Sequence, residues 1–153
     1  QFLNNNFTAG WVNYQWRLRL NNHHDAIQIY AKPQAKEWIG EKLNPGEKLF
    51  IASEQGLGDT IQFMRYIPYL RKKGITVSFC AQTKLHQLIK ESGISNNPLP
   101  PKNEKFNFDG KWAPLLSLPK YLNVDSSNPV VKSPYLKINK DRISYWKNIF
   151  MFF

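Results

Sequence analysis

Leu49-Phe50-Ile51-Ala52-Ser53-Glu54-Gln55-Gly56-Leu57-Gly58-Asp59-Thr60 places a short, continuously apolar run directly ahead of a glycine-bearing loop. The run follows the turn Asn44-Pro45-Gly46 and has the composition of a strand buried on both faces of a parallel sheet. Asp59 opens a helix pattern in which Ile61, Met64, Ile67 and Leu70 recur every third residue up to Arg71-Lys72-Lys73-Gly74, a basic last turn with a glycine stop. Pro68 predicts a kink in that last turn. Ile75-Thr76-Val77-Ser78-Phe79 reads as a second strand. A second helix is predicted from Thr83 to Ser92, with Leu85, Leu88 and Ile89 inward and Gly93 as its stop. Strand, helix, strand, helix with short loops predicts an α/β fold, a parallel sheet flanked by helices and joined by right-handed crossovers.

Toward the N-terminus, Trp11, Val12, Trp16, Leu18 and Leu20 give an apolar face to a helix capped by Thr8, with Arg17 and Arg19 at its positive-favouring end and Asn21-Asn22 as its stop. Ala26-Ile27-Gln28-Ile29-Tyr30 alternates, and a Pro33-containing connection leads past Trp38 and Gly40 to the turn at 44–46, which is the expected boundary between residues 1–43 and 44–153. Toward the C-terminus, Ser95 to Lys105 reads as a loop. Phe106-Asp109 and Trp112-Leu118 read as one or two short strands, with Pro119 outside any central strand, and Tyr135-Ile138 as an extended piece. Asp141 is the expected cap of a last helix carrying Ile143, Trp146 and Ile149.

The chain has 153 residues, 42% of them apolar or aromatic by the AVILMFWYC count, enough for one packed α/β domain or two very small ones and too few for two full domains. No apolar run approaches the ~20 residues that cross a bilayer. The net charge of +10 raises nucleic acid as a partner, but 16 of the 21 basic residues are lysines, scattered apart from Arg71-Lys72-Lys73, which favours solvated faces. One cysteine, Cys80, leaves no internal disulfide and suits a cytosolic compartment. Gln1 at one end and the uncapped apolar Ile149 to Phe153 at the other suggest a piece of a longer chain.

The glycine loop is the one sharp chemical signal. It leaves the carboxyl end of a predicted strand, where open α/β sheets bind ligands, and its glycines allow backbone amides to approach a phosphate. Tight-turn geometry explains Gly56 and Gly58 equally well. Neither a dinucleotide fingerprint nor an NTPase phosphate loop fits. Ile61 stands where the former needs a small residue, no carboxylate ends the second strand, and no Lys-Ser or Lys-Thr follows the glycines. Asp59 is the group of chemical interest, with a capping role toward Gln62 as the alternative. Gln62 and Arg65 lie one turn beyond the loop. His23-His24 and His86 lack partners at ligand spacing, so no metal is expected, and Cys80 reads as a core residue.

Glu54-Gln55-Gly56-Leu57-Gly58-Asp59-Thr60-Ile61-Gln62-Phe63-Met64-Arg65-Tyr66-Ile67-Pro68 closely resembles the signature of a glycosyltransferase-like domain found at the C-terminus of bacterial tetratricopeptide-repeat proteins. Gly10-Trp11, Tyr14 and Trp16-Arg17 resemble the helix that joins the repeats to that domain, and Pro33, Trp38, Gly40 and Leu43 resemble its approach to the first strand. Phe108-Asp109, Pro114-Leu115, Ser117-Leu118-Pro119 and Pro134-Tyr135-Leu136 resemble its later landmarks. Gln15 stands where the family usually has Glu.

Through its relatives, the heptosyltransferases and more distantly the protein O-linked N-acetylglucosamine transferases, the resemblance implies a GT-B fold of two facing Rossmann-like halves. This chain would be the N-terminal half, after a linker helix, and inactive without the donor-binding half. Asp59 would be the general base, and Gln55, Gly56, Leu57, Gly58, Thr60 and Gln62 would line the donor-phosphate or substrate site. The implied partners are a nucleotide-sugar donor, an acceptor and a protein bound through repeats; no cofactor is implied. A non-catalytic binding or scaffold module is the alternative. Under either reading Trp11, Val12 and Trp16 would pack against repeats, and without them the helix from Thr8 to Leu20 would be mobile or docked on a neighbour.

Overall fold

Four strands, β1 (Gln34–Glu37), β2 (Lys48–Ala52), β3 (Thr76–Cys80) and β4 (Asn107–Pro114), form one all-parallel sheet in the order β1-β4-β2-β3. The computed structural model describes residues 1–19, 28–131 and 134–151. The apolar run Leu49 to Ala52 lies in the centre, with Phe50 opposite Ser78 on one side and Trp112 on the other, and all four of its side chains are buried. Side chains alternate across a strand. Leu49 and Ile51 therefore enter the larger core with Val77, Phe79 and Ala113, while Phe50 and Ala52 join Cys80 and Trp112 on the opposite face.

Helices α1 (Phe7–Tyr14), α2 (Leu57–Phe63), α3 (Tyr66–Lys72), α4 (His86–Glu91) and α5 (Leu118–Tyr121) send apolar residues into the larger core. The smaller face carries extended chain instead. The return from β3 to β4 runs along it, with the Leu99 amide donating to Phe79 O at 2.7 Å and the Lys102 amide to Tyr30 O at 2.7 Å. Phe106 and Phe108 close over Phe50 at ring-centroid distances of 5.4 and 5.5 Å. The last helix, α6 (Lys140–Phe150), has no buried residue.

The structure departs from the sequence reading at several places. The helix expected from Asp59 to Lys73 is two helices, α2 and α3, joined at Met64-Arg65 by a tight turn in which the Ile67 amide donates to Met64 O at 3.1 Å. Pro68 falls in the first turn of α3, where its missing N–H removes no intrahelical bond. Gly74 follows with φ +85, and a Cβ there would meet Pro45 Cβ at 2.9 Å, so this turn and the turn at 44–46 are packed together. The boundary expected at Asn44-Pro45-Gly46 meets a sheet that takes strands from both sides, since β1 precedes the turn. The pieces expected between Phe106 and Leu118 are one central strand, β4, followed by a 3-10 turn and α5, with Pro119 at the start of α5.

At the N-terminus Asn6, not Thr8, caps α1 by accepting from the Ala9 amide at 3.2 Å, and the helix tightens to a 3-10 turn over Gln15–Arg19. Leu20, Asn21-Asn22, His23-His24 and Ala26-Ile27 lie outside the described residues. Ile29 makes a single antiparallel bridge to Glu54, and Tyr135-Ile138 joins no strand. Asn139 caps α6 through the Asp141 amide at 2.9 Å. The helix expected to await a neighbour is docked on its own sheet domain. Trp11 donates its indole N–H to Val124 O at 2.8 Å and packs edge-on against Phe63 at 6.2 Å, while Val12 and Trp16 remain exposed.

Candidate functional site

The chain leaves β2 through Ser53, whose amide donates to Cys80 O at 2.8 Å, and turns at Gln55, which holds φ +61. A left-handed conformation costs a residue with a Cβ about 1–2 kcal/mol, and hydrogen bonds from three directions hold it here. The Gln55 amide donates to Gln28 O at 3.3 Å, and its carbonyl accepts from the Tyr30 hydroxyl at 3.0 Å and from Gln82 Nε2 at 3.2 Å. Gln82, two residues past the end of β3, also accepts the Thr60 hydroxyl at 2.9 Å. Thr60 is fully buried, so its side chain fastens the loop to the sheet and faces no ligand.

Gly56 precedes α2, and Asp59 lies in the first turn rather than at the cap. Its Oδ2 accepts the Gly56 N–H at 3.0 Å, the reach-back half of a capping box. Asp59 is half-buried, while Gly56, Leu57, Gly58 and Gln62 are exposed. Leu57, Gly58 and Asp59 present the first amides of the helix, which have no carbonyl one turn back within it. The turn-geometry explanation of the glycines fails. Gly56 has φ −82, Gly58 is helical, and a Cβ on Gly58 would meet nothing within 4 Å. On Gly56 it would meet only the Asp59 carboxylate, at 3.1 Å. Chain geometry requires neither glycine.

The group beneath the loop was not foreseen. Arg17, read from sequence as a charge at a helix end, is buried and makes a two-pronged contact with Glu54, from Nε to Oε2 at 3.1 Å and from Nη2 to Oε1 at 2.7 Å. The Leu116 amide donates to Glu54 Oε1 at 3.0 Å, Arg17 Nη2 reaches Ser117 Oγ at 3.0 Å, and Ser117 donates onward to Gln15 Oε1 at 2.8 Å. Such a pair is tolerable in the interior only because its remaining donors and acceptors are satisfied. The Arg17 guanidinium also lies over the Tyr14 ring, 4.5 Å from its centroid. The Tyr14 hydroxyl is held above the ordinary tyrosine range, first by burial and then by the charges of Glu54 and Asp59, with Arg17 and the Gln55 side chain opposing. Helix α1 thus brings Tyr14 to the loop. A glutamate directly after an apolar strand was the one available signal, and nothing local pointed to Arg17.

The side chains of the remaining candidates form their hydrogen bonds away from the loop. His86 shares a hydrogen bond with Ala81 O at 3.0 Å, and among the described residues no three potential metal ligands cluster. Cys80 is fully buried, and burial pushes its thiol up to about 11. It should resist iodoacetamide at pH 8 in native protein and react in urea, as mass spectrometry would show. Because unfolding restores a thiol that ionises near 9, its contribution to stability is complete below pH 9 and is lost as pH rises toward about 11.

No described helix is long and apolar enough to cross a membrane. Comparison of the chain with protein-family models, with curated proteins and with solved structures finds no match in any of the three.

Proposed function

We propose that this chain is the first Rossmann-like half of a two-half, GT-B-type glycosyltransferase, a cytoplasmic enzyme in which residues 55–59 face the diphosphate of a nucleotide-sugar donor. Support comes from the resemblance of residues 54–68 and from the position of that stretch beyond the carboxyl end of a central strand. The observation that carries it is Gly58. A helical glycine destabilises by up to about 1 kcal/mol relative to alanine, and this one stands beside open space that its own chain leaves unused. Close approach of a ligand to the backbone accounts for it.

In this reading Asp59 takes the proton of an acceptor hydroxyl, the oxygen lone pair bonds to the anomeric carbon, and the bond from that carbon to the diphosphate breaks with its electrons leaving on the diphosphate. The Tyr14 hydroxyl lies within the field of the Asp59 carboxylate and beside the Gln55 side chain, and Gln62 is the exposed polar group one turn along α2.

Pyrophosphate is the simplest probe. It should saturably shift the amide resonances of Leu57, Gly58 and Asp59. Gly58→Ala should raise the unfolding free energy by up to about 1 kcal/mol and weaken that response. A Gly58→Ala protein that is less stable, or one that binds pyrophosphate unchanged, would remove the support for this reading.

A second reading, a protein-binding module without transfer activity, is favoured by α6. Ile143, Trp146 and Phe150 are 40%, 52% and 70% exposed along it.

A further inference from the structure

The only basic run in the sequence, Arg71-Lys72-Lys73, divides in the structure. Arg71 turns inward and donates to Val77 O at 2.9 Å and to Ile94 O, and burial holds its pKa below the ordinary arginine value. Lys72 and Lys73 instead line a concavity of about 690 Å³ between α3 and residues 130–131 and 134–137, together with Arg65, Lys137, Tyr69 and Tyr135. No carboxylate lines it, and among the described residues none lies within 4 Å of any of the four cations. It shares no lining residue with the loop at 53–60.

Two stretches of chain deliver these cations, residues 65–73 and 134–137, and both are anchored. Tyr135 donates its hydroxyl to Ile61 O and lies under the Arg65 guanidinium at 4.9 Å, while Arg65 Nε donates to Gln62 O at 2.9 Å, leaving its terminal nitrogens for an outside acceptor. The Lys137 amide donates to Ser92 Oγ at 3.0 Å. Like charges gathered without counter-charges repel one another, so the arrangement is relieved when an anion enters. The volume falls in the range of small-molecule sites, and the floor between the cations is apolar, with Pro68 and Val131 among its residues.

We propose that this cleft binds a phosphate ester. Arg65, Lys72, Lys73 and Lys137 take the phosphate, and the tyrosine and proline surfaces take its carbon body. This site is independent of the glycosyltransferase reading, because its residues and the loop's are different.

Amide spectra of the full chain titrated with phenyl phosphate in 150 mM salt would test it, with inorganic phosphate and a single-stranded oligonucleotide as parallel probes. Phenyl phosphate should saturably shift Arg65, Lys72, Lys73, Ser92 and Gly93, more tightly than inorganic phosphate does. Lys72→Gln with Lys137→Gln should weaken binding by about tenfold or more and leave the melting temperature and the pyrophosphate response at residues 57–59 unchanged. Shifts spread over all surface lysines, retention of binding in the double variant, or binding of the oligonucleotide alone would each overturn the proposal.

Discussion

Replacing Arg17 by methionine is expected to lower the unfolding free energy by about 3–5 kcal/mol, a large part of the roughly 5–15 kcal/mol that a domain has in total. Glu54 would stay fully buried with the Leu116 amide as its remaining close donor, and an unpaired carboxylate in that position must either hold its charge without compensation or take up a proton. The companion Arg17→Met/Glu54→Leu protein should recover most of the loss, since apolar groups of similar volume replace buried ion pairs at little cost. It should remain about 1–2 kcal/mol below the parent because the Leu116 amide loses its partner and the Ser117 hydroxyl keeps only Gln15. Urea unfolding at pH 7 would measure both. An Arg17→Met protein within 1 kcal/mol of the parent would mean that α1 is not docked in solution.

The largest functional effect should come from Asp59→Asn, assayed in a polypeptide where this chain is followed by a donor-binding half. A positioned general base contributes about 10²–10⁴-fold, and turnover should fall by that factor. Stability should fall by no more than about 1 kcal/mol, because an asparagine carbonyl can still accept the Gly56 amide. Thermal unfolding and turnover measured on the same preparation separate the two roles. A drop in melting temperature that matches the loss of activity would assign Asp59 to capping alone.

Residues 49–52 were readable as a strand because they are continuously apolar between turn signals, the mark of burial on both faces, and residues 75–79 because Ile75, Val77 and Phe79 alternate with Thr76 and Ser78. Gln34-Ala35-Lys36-Glu37 was not readable as a strand: it lies at the sheet edge and buries none of its side chains fully. Only Trp112-Ala113-Pro114 of β4 is buried, so the strand showed itself in fragments. Ile61, Met64, Ile67 and Leu70 repeat at 3.0 residues instead of 3.6. That spacing drifts around a straight helix and fits the break at Met64-Arg65. The loop at 54–60 was legible because its glycines and aspartate are local. Tyr14 and Arg17 were not, because their roles depend on partners far along the chain.

The Arg17 junction also bears on the order in which the molecule assembles. Arg17 meets Glu54 across 37 residues and Ser117 across 100, and Glu54 meets Leu116 across 62. The junction cannot close until the chain through Ser117 is present, so during synthesis α1 waits while more than two thirds of the sequence emerges. Closing loops of that length comes late, and contacts absent from the folding transition state govern how fast a protein comes apart rather than how fast it forms. The segment that carries Arg17 is thus made well before the partners that lock it, and its docking bears on the lifetime of the folded state.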